Sequence, residues 1–428
     1  MKKLIFLQFN ELNFNILKKY LKKDNFKNFK GIIPFLKNTN SENQYELLEP
    51  WIQWYTIHSG KSAKEHGVFR LGDCVKSNIK NIYDQLIDEG YAVGAVTPMN
   101  IDNRHNHYEY FIPDPWTDTK SDNLKWSKLI HITIQKIVNN NANNTINFKD
   151  LLNLFIIFIR FSKLKNFHHY FYLAITSLKF KWRKSLFLDL LLNDIHLTYL
   201  KKNLNINLSV LFLNSCAHIQ HHYLLNSKEN NSNTKNPESI IPKKMDAVYE
   251  AYLLYDKILG DYIKNKNFEI ILATGLSQSI DMSETYYYRL KNHKEFLSLL
   301  DISYKKVQPR MSRDFLIDFN NNEDRDLAFE KLKNISLNNE KIFGILDKRQ
   351  KSIFATITYR MKLNSEESIK IENKEIKVKK IFVLVALKNG LHNPDGFFYS
   401  NSDKINNIVK NNSNVRIIFD GLYSYFKN

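Results

Sequence analysis

The stretch Leu208-Ser-Val-Leu-Phe-Leu213, followed at once by Asn214-Ser-Cys-Ala-His218-Ile-Gln-His221-His222, decides the fold class. A short apolar run that ends in polar residues is typical of a buried strand, and such strands occur in parallel sheets that are covered on both faces. Further strands are predicted over residues 4–9, 91–97 and 269–274, and helices over 82–89 and 247–263. The sequence therefore predicts an α/β fold with a mostly parallel central sheet and helices on both faces.

Two segments interrupt this alternation of strands and helices. One is rich in Lys, Arg and apolar residues and is predicted to be helical, whereas the other contains four strand-like runs around one helix. The predicted parts are a first core segment 1–119, a basic helical insertion or cap 120–204, a second core segment 205–306, a small α+β subdomain 307–386 and a C-terminal core segment 387–428.

Charge and cysteine content limit the environment of the chain. The formal net charge of +18 favours an anionic partner, although a composition rich in Lys, Asn and Ile, as AT-rich coding produces, accounts for it equally well. We expect no nucleic-acid partner. Cys74 and Cys216 are too few and too far apart for a disulfide framework, which fits a reducing, cytoplasmic compartment. The first apolar run is interrupted at Asn10 and Glu11, so we expect no signal peptide.

The insertion carries a large part of the positive charge. Residues 120–202 contain fourteen Lys and Arg residues against four Asp and no Glu, a net charge of +10. Its apolar runs, which begin at Leu151 and Leu186, are shorter than the ~20 residues needed to span a bilayer. Two interpretations remain open: helices whose apolar faces pack on one another, or an interfacial surface on the anionic inner face of the cell membrane.

Polar residues follow the predicted strands at the positions where α/β proteins build sites. Asn10 and Glu11 follow the first strand, and Asn214 follows the third. If a helix begins near Ala217, His218 and His222 share one face, and two imidazoles at this spacing can hold one divalent metal. A further histidine, His392, follows the predicted last strand. The predicted metal ligands are therefore His218, His392, Asn214, His222 and Asn10, and the expected ion is Zn²⁺ or Mn²⁺, or none.

A second polar loop, Glu49-Pro-Trp51-Ile-Gln53-Trp54-Tyr-Thr56-Ile-His58, is expected to line the same cleft. We predict Thr56 or a bound water as the attacking group, His58 as an alternative base, and Glu11 as a further catalytic residue. The two Trp residues form either an aromatic wall of the site or part of the core. The predicted substrate-binding residues are Trp51, Gln53, Trp54, Gln220, His221 and Asp395.

The order of these landmarks resembles the alkaline phosphatase superfamily, in its type I phosphodiesterase and nucleotide pyrophosphatase branch. The resemblance covers about residues 1–110 and 205–300 and the His392 segment. In that branch a metal-binding Asp ends the first strand, and a Thr or Ser nucleophile precedes a Thr-Gly and a His-Gly pair. An Asp-x-x-x-His motif and an Asp-His pair follow later strands, and a final His completes the ligand set. The matching positions here are Asn10 or Glu11, Ser59-Gly60, His66-Gly67, Asn214 with His218, Gly275-Leu276 and His392.

This chain departs from the pattern at several ligand positions. The Asp-His pair is replaced by Gly275-Leu276, an Asn stands at position 214, and the nucleophile position, counted back from Gly60, falls on Pro50. The two-metal clamp of the family therefore cannot be assumed, and a single-metal or metal-free site is expected. The chain is also similar to bacterial proteins often encoded near surface-polysaccharide genes, which share its Glu49-Pro-Trp-Ile-Gln-Trp segment.

The resemblance implies a divergent metal-dependent hydrolase of phosphate or sulfate esters, or a group transferase, that acts on a glycan or lipid-linked sugar in surface polysaccharide assembly. The expected partners are a phosphorylated or sulfated glycan or a lipid-linked sugar, together with an anionic membrane surface. The alternative is a catalytically inactive carbohydrate-binding or assembly protein on the same scaffold. Metal content distinguishes the two classes most simply.

Overall fold

The computed structural model describes residues 2–22, 25–104, 106–141, 147–228, 230–309, 313–364, 366–371 and 374–427. The chain divides into two compact units. The first comprises Met1–Val138, Ile146–Ile280 and Gly390–Asn428, and the second comprises Asn139–Thr145 and Asp281–Asn389.

The strands up to the middle of the second unit are β1 (Leu4–Phe9), β2 (Lys37–Asn40), β3 (Val93–Val96), β4 (Tyr110–Ile112), β5 (Leu208–Leu213), β6 (Glu269–Ala273), β7 (Ser277–Ile280), β8 (Tyr286–Leu290), β9 (Lys306–Pro309) and β10 (Asp314–Asp318). The later strands are β11 (Ser336–Leu337), β12 (Glu340–Lys341), β13 (Ile345–Arg349), β14 (Ser352–Thr356), β15 (Ser368–Ile371), β16 (Lys374–Lys377), β17 (Phe382–Leu387), β18 (Gly390–Asn393), β19 (Asp395–Ser400) and β20 (Ser413–Asn414).

The helices up to the insertion are α1 (Phe14–Tyr20), α2 (Lys27–Ile32), α3 (Pro50–Ser59), α4 (Ala63–His66), α5 (Ile82–Asp88), α6 (Lys125–Asn141), α7 (Phe148–Phe161), α8 (Phe167–Thr176) and α9 (Arg183–Lys202). The later helices are α10 (Ser215–Tyr223), α11 (Ala247–Ile263), α12 (His293–Leu299), α13 (Asn322–Lys333), α14 (Val378–Ile381), α15 (Asp403–Ile408) and α16 (Ile417–Phe426).

Within the described residues, the central sheet of the first unit has the strand order β20-β2-β19-β6-β1-β5-β3-β4. Strands β6, β1, β5, β3 and β4 run parallel to one another, and β19 runs antiparallel to both β6 and β2. The register places Leu4 opposite Leu208 on one side and Glu269 on the other. The predicted α/β fold with a mostly parallel sheet is confirmed.

Both faces of this sheet are buried, as its apolar strands require. Side chains alternate along β1, so that Ile5 and Leu7 belong to one core while Leu4 and Phe6 belong to the other. The first core also contains residues of α9, α10 and α11, and the second contains residues of α3, α5 and α16. The predicted helical layers on both faces are therefore present.

The segment 49–60, which the sequence suggested was a loop, is largely helix α3. Pro50 occupies the first turn, where its missing N–H costs no hydrogen bond. Gly60 ends the helix with φ 67°, a left-handed conformation that favours glycine. Pro50 and Gly60 are thus the start and stop signals of a helix.

The predicted insertion forms the helices α6 to α9, of which α9 packs against strands β5 and β3 of the sheet and α7 and α8 pack against α9. Asp194 of α9 fixes the start of α8, because its carboxylate accepts hydrogen bonds from Asn166 Nδ2 at 2.8 Å and Tyr170 Oη at 2.9 Å. Among the described helices, none combines the length and apolar character that a membrane crossing requires.

The second unit has its own core and a four-stranded antiparallel sheet of order β13-β14-β10-β9. It is wider than the predicted subdomain 307–386, because β8 pairs with β17 and so brings the segment from Asp281 into the unit. One of the four strand-like runs of the predicted subdomain begins at Ile342 in the sequence, whereas β13 begins at Ile345. Ile342 and Phe343 are buried in the connection before that strand.

Candidate metal centre

Polar residues meet at the carboxyl ends of β1, β5 and β6. Because these three neighbouring strands are parallel, Asn10, Asn214 and Thr274 follow them at the same edge of the sheet. Asn10 Nδ2 donates a hydrogen bond of 2.8 Å to Asn214 Oδ1. The first two strand ends are therefore joined through their side chains.

Glu11 occupies the centre of this edge in a strained conformation. Its φ of 56° lies in the left-handed region, which costs a residue with a Cβ about 1–2 kcal/mol. Its backbone N–H donates to Thr274 O at 3.0 Å, and its carbonyl accepts from Gln220 Nε2 at 2.8 Å. The surrounding structure thus holds a buried carboxylate at the strand edge, a pattern that marks functional sites.

Two imidazoles converge on this carboxylate. His221 Nε2 lies 3.3 Å from Glu11 Oε2, and His392 Nε2 lies 3.5 Å from the same oxygen. The two Nε2 atoms are 3.3 Å apart. Within the described residues, Glu11, His221 and His392 form the one group of three or more metal-ligating side chains whose donor atoms all lie within 4.8 Å of one another.

The charges of these groups are strongly coupled. Burial by itself would raise the pKa of Glu11, but the adjacent His392 and His221 outweigh it and hold that pKa well below its usual range. Burial would conversely lower the pKa of His392, yet the Glu11 carboxylate raises it overall, with a smaller contribution from Glu49. The cluster therefore stabilises a carboxylate with positive charge beside it.

Buried amide groups fix the position of the carboxylate. Gln278 Nε2 donates to Glu11 Oε2, and Asn10 Nδ2 donates to Glu11 Oε1 at 3.2 Å. Trp54 Nε1, which can only donate, points at Asn10 Oδ1 at 2.7 Å and so determines which end of the Asn10 amide faces Glu11. The Trp54 indole therefore orients Glu11 through Asn10.

His392 and Gln278 reach Glu11 together because they face each other across the antiparallel pair β18 and β7. Gly390 makes room for this arrangement, since a Cβ there would lie 2.0 Å from Gln278 Oε1. On its other side, His392 Nδ1 lies 3.8 Å from Glu49 Oε2, and the ring also hydrogen-bonds the Leu48 backbone. A carboxylate beside Nδ1 favours a proton on that nitrogen, which is the tautomer in which Nε2 can bind a metal.

The cluster fits a divalent metal in both chemistry and spacing. Two His and one Glu with an open fourth position form a ligand set of catalytic zinc sites. With bonds of about 2.0–2.2 Å, neighbouring ligand atoms of a tetrahedral site lie ~3.3–3.6 Å apart. The three separations here are 3.3, 3.3 and 3.5 Å. The donor atoms thus already have the spacing of three corners of such a site.

The structure separates the predicted metal ligands into two groups. It brings His392 together with Glu11 and places Asn10 and Asn214 beside them. The side chains of Asn10 and Asn214 bond to each other, and the Asn10 side chain also bonds to Glu11 and Trp54. His218 and His222 lie next to each other as their spacing predicts, with ring centroids 4.8 Å apart. The imidazole that meets His392 is that of His221, which the sequence suggested was a substrate-binding residue.

Thr56 and His58, the predicted attacking group and base, are both buried and bonded to other protein groups. The pKa of His66 is lowered to about 4 by burial, so this ring is neutral, and its Nδ1 accepts from the Val68 N–H at 3.0 Å. Its Nε2 therefore donates to Thr56 Oγ1 at 3.1 Å and cannot remove the hydroxyl proton. His58 is fully buried in the core, where its ring meets Gln8 Nε2 at 2.8 Å.

Most predicted substrate-binding residues bond to other protein groups or belong to the core. Gln53 Nε2 donates to Leu47 O at 2.7 Å, and Gln220 Oε1 accepts from Tyr252 Oη at 2.7 Å, so both buried amides are occupied by the protein. Trp54 belongs to the core, and the half-buried Trp51 donates to Phe69 O at 3.0 Å. Asp395 is exposed, and its backbone N–H donates to Asn393 Oδ1.

Two residues of the site were not identified from the sequence. Gln278 follows the Gly275-Leu276 position of the missing Asp-His pair, and its place just after a strand end was a usable signal. Glu49 precedes the Pro50 that starts α3, and nothing in its local pattern indicates a contact with His392. Burial raises the pKa of Glu49, although its side chain remains more than a third exposed.

No family model matches the chain, and no curated protein matches it. Solved structures with a similar course of the chain include phosphonoacetate hydrolase from Sinorhizobium meliloti 1021, at 10% identity and a TM-score of 0.40 over 99% of this chain and 96% of that one. Alkaline phosphatase from the Antarctic bacterium TAB5 gives 10% identity and a TM-score of 0.42, covering 99% and 98%. Human ectonucleotide pyrophosphatase/phosphodiesterase 5 gives 12% and 0.37, covering 98% and 93%.

These three neighbours belong to the alkaline phosphatase superfamily. At such identities and TM-scores the likeness does not establish a family or an activity for this chain. The chemistry of the site rests on the side chains themselves.

Proposed function

We propose that this chain is a single-metal hydrolase of phosphate or sulfate esters, with Glu11, His221 and His392 as the ligands of one divalent cation, Zn²⁺ or Mn²⁺. The observation that carries the proposal is the trio of donor atoms, spaced 3.3 to 3.5 Å apart at the carboxyl edge of a parallel sheet. When bound, such a cation polarises an ester oxygen and lowers the pKa of a water molecule.

The residues around the trio position it for this role. Gln278 and Asn10 hold the Glu11 carboxylate, and the strained backbone of Glu11 keeps that carboxylate at the strand edge. The Glu49 carboxylate, 3.8 Å from His392 Nδ1, favours a proton on that nitrogen. The side chain of His221 is 35% exposed and forms the open side of the cluster, where substrate can approach.

Water is the attacking group in this proposal. Thr56 is buried and accepts a hydrogen bond from His66, a neutral ring that does not take up the hydroxyl proton, so we do not assign the nucleophile to Thr56. Pro50, at the nucleophile position of the related family, has no side-chain hydroxyl. Glu49 is the carboxylate beside the trio that is both partly exposed and within reach of His392, and we assign to it the orientation of that ring.

The substrate class we propose is a phosphorylated or sulfated glycan or a lipid-linked sugar. Its support is the sequence similarity to proteins encoded near surface-polysaccharide genes. The second candidate is a catalytically inactive carbohydrate-binding or assembly protein, favoured by the replacement of the family's Asp-His pair by Gly275-Leu276. Transfer of the phosphoryl group to a sugar hydroxyl instead of water is a variant of the first reaction.

Metal content tests the site directly. Purified protein should contain about one equivalent of a divalent cation by elemental analysis, and chelation should lower its thermal stability in a way that refilling restores. His221→Ala and Glu11→Gln should abolish the stoichiometric metal. His218→Ala is the matched control, because this exposed histidine lies on the same helix outside the trio.

Turnover is the second measurement. The metal-loaded protein should cleave phosphate or sulfate esters of sugars, and His221→Ala should not. Stoichiometric metal without turnover on any of these esters would support the inactive binding protein. Loss of metal in His218→Ala but not in His221→Ala would instead restore the ligand set expected from the sequence.

A further inference from the structure

Helices α7 and α8 present large apolar side chains to solvent on one continuous face each. On α7 this face consists of Phe148, Leu151, Phe155 and Ile159, which recur at helical spacing. On α8 and just beyond it, the face consists of Phe167, Phe171, Ile175 and Leu178. We call these eight residues the apolar face.

The exposure of this face is large for a folded protein. Phe155 is 58% exposed, Ile159 60%, Phe171 71% and Leu178 87%. A Phe or larger aromatic side chain buries on the order of 150–250 Å², so the eight residues together expose on the order of 700 Å² of apolar surface. Exposed apolar surface on this scale is typical of sites of interaction.

The helices themselves are firmly held from the opposite side. Ile157 and Phe161 of α7 and Tyr170 and Leu173 of α8 are buried in the core of the first unit. Phe158 joins the two helices, with its ring 5.6 Å from Phe167 and 5.1 Å from Tyr170. The apolar face is therefore the outer surface of anchored helices.

Positive charge surrounds the apolar face. Residues 147–184 contain eight Lys and Arg residues and one acidic residue, Asp150, a net charge of +7. Asp150 is buried and lies 3.8 Å from Lys136 Nζ. Two of the eight cations are paired with acidic residues elsewhere in the chain, Lys165 with Asp261 and Arg183 with Glu250, which leaves a net charge of 7 − 2 = +5. Lys179, Lys181 and Lys184 are exposed just after Leu178.

These observations select one kind of partner. A second copy of the chain would bring two strongly basic surfaces together, and like charges across an interface oppose association. Helices α7 and α8 have 14 and 10 residues and are too short to cross a bilayer, which needs ~20. An amphipathic helical surface with a basic border has the composition of segments that lie in the interface of anionic membranes.

We propose that the apolar face docks on an anionic lipid bilayer, with its Phe, Leu and Ile side chains at the acyl boundary and the exposed lysines at the headgroups. The charge of the surface and the unpartnered apolar side chains support this assignment independently of the reaction proposed for Glu11, His221 and His392. Binding has a charge component, screened over ~8 Å at physiological salt, and an apolar component that salt does not screen.

Vesicle flotation of the full chain tests the proposal. The protein should float with phosphatidylcholine vesicles that contain phosphatidylglycerol, float weakly with phosphatidylcholine alone, and lose part of its binding as salt rises. The double variant Phe155→Ser, Ile159→Ser should weaken binding at least about tenfold for each side chain. Its control, Phe35→Ser with Leu327→Ser, changes residues of similar exposure, 64% and 65%, and should bind like the wild type.

The charge component has its own variant. Replacing Lys179, Lys181 and Lys184 by Gln should weaken binding to anionic vesicles about fivefold per charge and leave binding to neutral vesicles unchanged. The control replaces the exposed Lys294, Lys305 and Lys306 by Gln and should have no effect. Unchanged thermal unfolding of all variants verifies that the fold is intact.

Several results would overturn the proposal. One is a wild-type protein that stays with the soluble fraction beside anionic vesicles at low salt. Another is equal weakening by the apolar-face variant and its control. A third is a wild-type dimer that becomes monomeric in Phe155→Ser, Ile159→Ser without binding vesicles, because the apolar face would then be an interface between copies of the chain.

Discussion

Helices α3 and α10 both carry polar side chains that the sequence assigned to a site, but they use them differently. In α3, Gln53, Thr56 and His58 are buried and are bonded to Leu47, His66 and Gln8. In α10, the buried Gln220 supports the Glu11 backbone, while the partly exposed His221 reaches the carboxylate itself. A polar residue is thus a candidate ligand only where the protein leaves one of its polar atoms free to bind another group.

The largest effect is expected from the replacement of Trp54, the α3 residue that supports the site through Asn10. Trp54→Ala removes a fully buried indole and the donor to Asn10, so we expect a loss of about 3–5 kcal/mol in the free energy of unfolding. Denaturant unfolding measures it. Trp51→Ala is the matched control, since this half-buried Trp should cost clearly less; equal costs would show that α3 is not packed as described.

The second effect concerns pH and the buried ring of His58. Burial lowers the pKa of His58 to about 3, whereas a histidine in an unfolded chain has a pKa of about 6.5. As pH falls, the unfolded state binds the proton first, so this stabilising contribution is present above pH about 6.5 and is lost progressively toward pH about 3. Between pH about 6.5 and 4.5, the wild type should lose about 2–3 kcal/mol more stability than His58→Gln.

Unfolding curves at a series of pH values measure this difference. His107→Gln, at an exposed histidine, serves as the control and should have the slope of the wild type. A His58→Gln variant with the slope of the wild type would place His58 in contact with solvent and reopen its assignment as a base.

The third prediction compares two buried glutamines. Gln278→Leu removes a donor to the Glu11 carboxylate, and we expect metal affinity to fall about 10–100-fold. Gln53→Leu removes an equally buried amide that bonds Leu47, and it should lower stability without changing metal affinity. Metal titration of both variants separates the roles, and a reduced affinity in Gln53→Leu would contradict the division between α3 and α10.

The smallest expected effect is at Thr56. Thr56→Val keeps the shape of the side chain and removes the acceptor of the His66 hydrogen bond, which should cost about 1 kcal/mol of unfolding free energy. Metal content and ester hydrolysis should remain at the level of the wild type. A large loss of hydrolysis at normal stability would return the nucleophile to Thr56.

Local patterns predicted the fold of the first unit closely. The strands Leu4–Phe9 and Leu208–Leu213 and the helix Ala247–Ile263 have the predicted bounds, because continuous apolar runs and helical spacing are local signals. Segment 49–60 was misjudged because Pro50 and Gly60 suggest a loop when read singly and a helix when read as its two ends. Because β6, β1 and β5 are parallel neighbours, their carboxyl ends and the polar residues that follow them lie at the same edge of the sheet.

The composition of the site was harder to predict, because it depends on how a helix is rotated against the sheet. Spacing alone pairs His218 with His222, and the structure does place these rings together. Packing decides that His221 is the residue that faces β1. The buried Ala217, one turn earlier, and Gln220 lie toward Glu11 and Gln278, and this burial pattern was the available signal. The contact of Glu49 with His392 joins distant parts of the chain and leaves no local signal.

The pairing of β7 with β18 also determines when, during synthesis, the three side chains of the cluster can come together. The chain leaves the first unit after Ile280 and returns at Gly390, and His392 lies opposite Gln278 only after this return. At about 5–20 residues per second, the ribosome needs roughly 5–20 s to make the intervening stretch. During that interval the nascent chain has Glu11 and His221 but lacks the third ligand. With the ligand set proposed above, metal capture through the trio would be confined to chains whose second unit has already been synthesised.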